Sequence, residues 1–254
     1  MKTAMITGAT SGIGKEFAKR YAEKGYRLIL TARRTELLNA MKDELSVECR
    51  IITADLADEE QCKRLLLDVA DEKIDIFVNN AGFGTAGSFL ETDLEKELSL
   101  VKVNDVAMHI MFKGMLKKMH EQGFGEIVNV ASSAGILPGG PYMATYYASK
   151  AYVVSMTRAV ARELKELGSK VYVCCLCPGP VDTEFNKNAD VFFALKGITA
   201  QTCVSECLAG MERKKTVIVP TFKMRLAMAF SHIVPIPLLI AMTGGQQKKK
   251  LWDN

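Results

Sequence analysis

Nothing in these 254 residues reads as a metal-ligand set or a disulfide framework. Three histidines are present, and the seven cysteines, an odd number, include no CxxC pair. Cys174, Cys175 and Cys177 fall in the apolar run VYVCCLC, and Cys203 and Cys207 share a helix face without further ligands. No metal is therefore expected, and thiols kept reduced as small core residues suggest a cytoplasmic setting. Charge is also sparse in sum. The net charge is +4 with one basic run, KKK at 248–250, so no nucleic-acid partner is expected. No apolar run reaches the ~20 residues of a membrane span. The opening KTAMITG is too short for the apolar core of a signal peptide. Repeats, low-complexity linkers and composition breaks before about residue 220 are absent, which favours one domain over residues 1–254.

What is present is an alternation. Short apolar stretches at 2–7, 27–31, 49–53, 75–79, 126–130, 171–176 and 216–219 read as strands. Amphipathic stretches at 13–24, 35–45, 58–71, 91–101, 104–121, 146–167 and 199–212 read as helices. Near-continuous apolar strands suit a sheet buried on both faces, and regular alternation suits parallel strands joined by crossover helices. The fold class expected is α/β: a single-domain, doubly wound parallel sheet of about seven strands with helices on both faces.

The first strand runs into TGATSGIG and then a helix. Gly8, Gly12 and Gly14, with Thr10, Ser11 and Ile13 between them, sit where glycine allows positive φ and close approach of a phosphate. A helix N-terminus offers that phosphate free N–H groups and partial positive charge. At the end of the second strand, an NAD site places an acid for the ribose 2′-hydroxyl. Here Ala32 stands, followed by Arg33 and Arg34. Guanidinium groups suit a 2′-phosphate and gain nothing from a helix start, so NADP(H) is preferred over NAD(H).

In TYYASK, Tyr146 lies four residues and Tyr147 three residues before Lys150, and on a helix both spacings bring the phenol to the lysine's face. Geometry leaves the choice open. The spacing TGxxxGxG, the segment NNAG at 79–82 and the pair YxxxK together resemble the short-chain dehydrogenase/reductase family, over residues 3 to about 185. That resemblance implies a Rossmann-type fold and selects Tyr146 as catalytic, with Lys150. It implies Ser133, thirteen residues back, as the hydroxyl that polarises the substrate oxygen, and Asn104 as the holder of a relay water. Without the resemblance, Asn104 reads as an N-cap to a helix beginning near Asp105. It further implies that Asn80, Ala81 and Gly82 line the cofactor, that Asp55 and Leu56 border the adenine, and that Pro178, Gly179, Val181 and Thr183 form its nicotinamide-side turn. Tyr146 and Lys150 also touch the cofactor in this pattern. Chemically, a phenol near pKa 10 is a reluctant donor at neutral pH, and a neighbouring ammonium is expected to lower that value.

Residues 184–200 take the place of a substrate lid, where Phe185, Phe192, Phe193 and Leu195 give an apolar face. The substrate expected is a small-molecule carbonyl compound or secondary alcohol, uncharged or hydrophobic. The extension at about 220–254 contains the basic, apolar stretch 222–242, which suits packing over the substrate mouth, docking on the domain, or peripheral membrane contact. Pro235 and Pro237 are expected to break any helix there. The resemblance implies a homodimer or homotetramer. Two alternatives remain: a membrane-associated ketoacyl or steroid-like reductase, and a non-catalytic NADP(H)-binding regulator.

Overall fold

The computed structural model describes residues 1–183 and 197–252. Seven parallel strands, β1 (Thr3–Thr7), β2 (Arg27–Ala32), β3 (Cys49–Thr53), β4 (Ile76–Asn79), β5 (Gly125–Val130), β6 (Val171–Leu176) and β7 (Val217–Ile218), form one sheet in the order β3-β2-β1-β4-β5-β6-β7. The order reverses between β1 and β4. Ligands bind at such a switch point, beyond the C-terminal strand ends.

Side-chain alternation explains why both faces are covered. Ala4, Ile6, Leu28 and Leu30 point to one face, and Met5, Ile29, Phe77 and Ile127 to the other. The first face packs on α1 (Gly12–Glu23), α2 (Thr35–Glu44) and, beyond the undescribed segment, α7 (Ala200–Glu212), through Phe17, Leu38, Cys203 and Cys207. The second packs on α3 (Glu59–Asp68), α5 (Met108–Gln122) and α6 (Ala144–Glu166), through Leu65, Met111, Phe112 and Val153. Each fully buried large apolar side chain contributes about 1.5–3 kcal/mol relative to exposure. All seven cysteines are buried free thiols within these layers. Among the described residues, no cluster of three His, Cys, Asp or Glu could hold a metal ion.

Local chemistry sets the helix ends. Asp58 caps α3 by accepting from the Glu60 N–H at 2.9 Å, and Asp93 caps α4 (Leu94–Val101) through the Lys96 N–H at 2.7 Å. Gly123 stops α5 in the left-handed region, φ 83°.

Two stretches differ from the sequence reading. No helix starts near Asp105. The chain stays helical from α4 through a π turn (Lys102–Ala107) into α5, so Asn104 is interior rather than a cap. A π turn inserts one residue into the helix and re-aims its neighbours, and nothing in KVNDVA signals this. The prolines do not abolish helix near the C-terminus. Instead α8 (Phe222–Ser231) and α9 (Ile236–Trp252) flank Pro235, and Pro237 sits in the first turn of α9, where no N–H is required of it. The lid expected at 184–200 lies, up to residue 196, outside the described residues, including Phe185, Phe192, Phe193 and Leu195.

Candidate active site

A cleft of about 880 Å³ opens over the switch point, at the C-terminal edge of the sheet. Its floor is the turn between β1 and α1. Gly8 and Gly12 adopt φ of 63° and 53°, which L side chains resist. Thr10, Ser11, Gly12 and Ile13 line the cleft at the start of α1. Gly14 does not reach it. A Cβ there would lie 2.3 Å from the Gly8 carbonyl oxygen and 2.5 Å from Asn80 Nδ2, so this glycine permits packing of the turn rather than ligand contact.

Asn80 fastens that turn from β4. Its Nδ2 donates to the Thr7 carbonyl at 2.9 Å and to the Gly8 carbonyl at 3.1 Å, while Thr7 Oγ1 accepts the Asn80 and Ala81 N–H groups. Ala81, Gly82, Asp55 and Leu56 follow along the rim. Beyond the end of β2, Ala32, Arg33 and Arg34 complete one end of the cleft, and Arg34 Nη2 donates to Thr10 Oγ1 at 3.4 Å. Both arginines are exposed, and the only side chain at the expected acidic position is a methyl group. On the far side, Pro178, Gly179, Val181 and Thr183 follow β6. Thr183 stands close enough to Gly12 that a Cβ on the glycine would meet it at 3.1 Å. The cradle of backbone N–H groups, the absent Cβ atoms and the paired guanidiniums fit a dinucleotide phosphate chain.

Deeper in, α6 delivers Tyr146 and Lys150 to the same cleft, nearly buried at 9% and 5% exposure. The two tyrosines are separated by what they touch. Tyr146 is hydrogen-bonded to the Ser132 hydroxyl, whereas the Tyr147 hydroxyl accepts from Gln247 Nε2 at 2.9 Å. The hydroxyl acting on the phenol is thus that of Ser132, one position before the expected Ser133. Ser132 Oγ also accepts the Ala134 N–H at 3.1 Å, which fixes it at the mouth of the short 3₁₀ turn Ser133–Gly135. Ser133 lines the cleft as well and is anchored through its backbone N–H, which donates to the Pro178 carbonyl at 2.8 Å, the oxygen that the Ser132 hydroxyl also reaches at 3.4 Å.

The electrostatics also differ from expectation. Burial pushes the Tyr146 phenol up to about 12, partly offset by the Ser132 hydrogen bond. Lys150 Nζ lies 5.8 Å from the Tyr146 ring centroid and donates to the Val130 carbonyl at 3.1 Å. Burial pushes Lys150 itself down to about 8, against the opposing pull of Asp105. Asp105, half-buried on the π turn, is pushed up to about 6 by desolvation, with Lys150 acting in the other direction.

Asn104 is buried behind Gly82 and does not face the cleft directly. Its Nδ2 donates to the Phe83 carbonyl at 2.9 Å and to Ser149 Oγ at 3.1 Å, using both protons, and its Oδ1 accepts the Phe83 N–H at 3.0 Å. A Cβ on Gly82 would meet Asn104 Oδ1 at 2.9 Å and Lys150 Nζ at 3.3 Å. Only glycine therefore lets the Asn104 amide oxygen and the Lys150 amine both approach this point of the backbone.

One wall was not assigned residue by residue from the sequence. Met224 and Met228 of α8, Val234, and Leu239, Met242 and Gln247 of α9 close the cleft opposite the strand ends. Thr243 Oγ1 donates to the Gly139 carbonyl at 3.0 Å, and with the Gln247–Tyr147 bond this fastens α9 to the loop preceding α6. The apolar content of 222–242 signalled packing, but nothing in MTGGQQ signalled a wall.

A family model described as short chain dehydrogenase matches residues 2–191. An oxidoreductase of Staphylococcus epidermidis is 31% identical over 202 residues, 79% of this chain and 86% of that protein. A short-chain dehydrogenase from Sphingobium yanoikuyae, solved in complex with NADPH, superimposes with TM-score 0.81 at 27% identity, covering 92% of this chain and 97% of that one. The bulky-bulky ketone specific alcohol dehydrogenase from Comamonas testosteroni gives TM-score 0.76 at 27% identity, covering 91% and 92%.

Proposed function

From the premise that this chain belongs to the short-chain dehydrogenase/reductase family of nicotinamide-dependent oxidoreductases, we propose that it reduces an uncharged, apolar ketone or aldehyde with NADPH, or oxidises the matching alcohol. The observation that carries the proposal is the meeting of Tyr146, Lys150 and Ser132 in the cleft whose other end is the glycine turn and Arg33.

When bound, the reduced nicotinamide supplies the hydride. The protein's part is to hold the carbonyl and to manage the charge that hydride addition leaves on oxygen. Ser132 donates a hydrogen bond to that oxygen, and Tyr146 delivers the proton. A phenol held up at about 12 is fully protonated at neutral pH, which suits a donor in the reductive direction. Lys150 stands by as a cation below about pH 8. It compensates the phenolate left after transfer and hands on a proton. Asn104 Oδ1 and Lys150 Nζ both crowd the Gly82 backbone, and a water bridging them would carry that proton onward, accepting from Lys150 Nζ and donating to Asn104 Oδ1. Asn104 is thus a positioning residue. Selection of an apolar substrate is supported by the methionine- and leucine-rich wall, in keeping with the ketone specificity of the Comamonas testosteroni relative.

NADP(H) preference rests on Arg33 and Arg34 beside Ala32, and on the NADPH found in the Sphingobium yanoikuyae relative. Titration with NADPH and with NADH, followed by nicotinamide fluorescence, tests it. NADPH should bind at least about tenfold more tightly, and Arg33→Ala should remove most of that margin while leaving NADH unchanged, as expected for one charge-assisted phosphate contact. Equal binding of the two cofactors by the unaltered protein sinks the preference.

A further inference from the structure

Residues 213–252 contain eight of the chain's 33 Lys and Arg and none of its 29 Asp and Glu, leaving the remaining residues with 25 positive and 29 negative charges. The whole positive excess of the protein is therefore concentrated in the segment that forms β7, α8 and α9.

The same segment carries the largest grouping of exposed large apolar side chains among the described residues. Phe222, Leu226, Phe230 and Ile233 recur at helical spacing along α8 and its end, exposed by 71%, 61%, 57% and 74%. Ile236 and Leu238 continue the strip onto α9, at 60% and 55%. The opposite face of α8, through Met224 and Met228, lines the cleft, and Phe230 borders both the cleft and the exterior. A helix apolar on both sides needs two apolar neighbours, and the described residues cover only one side. Lys223 lies exposed beside the strip and Lys248 lies exposed on α9. Arg225 is held in an ion pair with Glu206 at 3.1 Å, so it is partly committed to the domain. No helix among the described residues is long and apolar enough to cross a bilayer.

We propose that the outer face of α8 and the start of α9 is a docking surface for an anionic phospholipid bilayer. Phe222, Leu226, Phe230, Ile233, Ile236 and Leu238 enter the interfacial region, and Lys223 and Lys248 meet the headgroups. An apolar strip with basic flanks and no acidic residue is what such an interface requires. The opposite lip of the cleft cannot share the role. Its exposed Phe89, Leu90, Leu94 and Leu98 are interleaved with Glu91, Asp93, Glu95 and Glu97, which an anionic surface repels. The contact is therefore one-sided, and it sets the methionine-lined wall between the cleft and the lipid phase.

The test is flotation of the full chain with vesicles of phosphatidylcholine alone and of phosphatidylcholine mixed equally with phosphatidylglycerol. The unaltered protein should bind the mixed vesicles at least about tenfold more tightly, and salt at about 0.5 M should remove most of the difference. Leu226→Asp with Ile233→Asp should abolish flotation, and Lys223→Glu with Lys248→Glu should weaken it about tenfold. Melting temperatures matching that of the unaltered protein establish that both variants fold, independently of any cofactor or substrate. Flotation equal on the two vesicle types, or absent altogether, overturns the proposal. So does a dimer in solution that Leu226→Asp with Ile233→Asp converts to monomer, because the strip then belongs to a second copy of this chain.

Discussion

Replacing Ser132 or Ser133 by alanine separates two hydroxyls that are neighbours in sequence and both face the cleft. In the proposed reaction Ser132 supplies a hydrogen bond to an oxygen that gains charge as hydride arrives. Losing one such donor costs about 10²–10³ in kcat, or about 2.7–4 kcal/mol of transition-state stabilisation. Ser132→Ala has a structural effect too, since the Ala134 N–H loses its 3.1 Å acceptor at a cap position. That lost cap costs about 0.5–2 kcal/mol of stability, a fall of a few degrees in Tm for a chain of this size. Ser133→Ala keeps the backbone N–H that donates to Pro178 at 2.8 Å. Its turnover should stay within about twofold of the unaltered enzyme, since surface changes away from such contacts are nearly neutral. The assay is single-turnover loss of NADPH absorbance with a panel of apolar ketones, with Tm measured on the same samples. A hundredfold loss in Ser133→Ala beside a near-normal Ser132→Ala would refute the reasoning, whatever the melting temperatures.

Two further outcomes follow from the same geometry. Tyr146→Phe should lower kcat by about 10²–10⁴, the usual contribution of one positioned acid, whereas Tyr147→Phe should mainly loosen α9 by leaving Gln247 without its acceptor; steady-state kinetics that show the reverse would move the proton donor to Tyr147. Asp105→Asn removes the carboxylate that raises Lys150, so the alkaline fall in reductase rate, set by Lys150 near about pH 8, should shift to lower pH. The stability sign is also defined. A carboxyl raised to about 6 binds more protons folded than unfolded, so its contribution is lost as pH rises from about 4 to about 6. Asp105→Asn should raise Tm near neutral pH and leave it little changed below about pH 4, and thermal melts at both values check this.

Much of the architecture was readable because it is local. Strands buried on both faces must be apolar along their length, and the helices between them must carry a 3.6-residue apolar stripe. That is why the expected strand at 171–176 and helix at 35–45 match Val171–Leu176 and Thr35–Glu44 so closely. The glycine turn was readable for the same kind of reason: positive φ at Gly8 and Gly12 is written into residue type. Gly14 looked identical in sequence, yet its contact with Asn80 comes from the end of a strand more than sixty residues away.

Counting thirteen residues back from Tyr146 crosses an irregular connection, residues 136–143, in which Tyr142 adopts φ 66°. A loop absorbs one residue without moving the strand or helix it joins, so distance along the chain does not fix which hydroxyl meets the phenol. The π turn at Asn104 and the rise of the Tyr146 pKa are likewise products of burial and packing. The sequence by itself determined the parallel α/β sheet, the phosphate-ready turn, the arginines in place of an acid, and the pairing of a tyrosine with Lys150. All of these depend on residue type and short-range periodicity. Only the tertiary structure decided that the Ser132 hydroxyl bonds Tyr146, that Asn104 and Lys150 converge on the Gly82 backbone, and that α8 and α9 wall the cleft. Those outcomes depend on which surfaces meet across long separations in the chain, where the free energy of burial, rather than local propensity, chooses the neighbour.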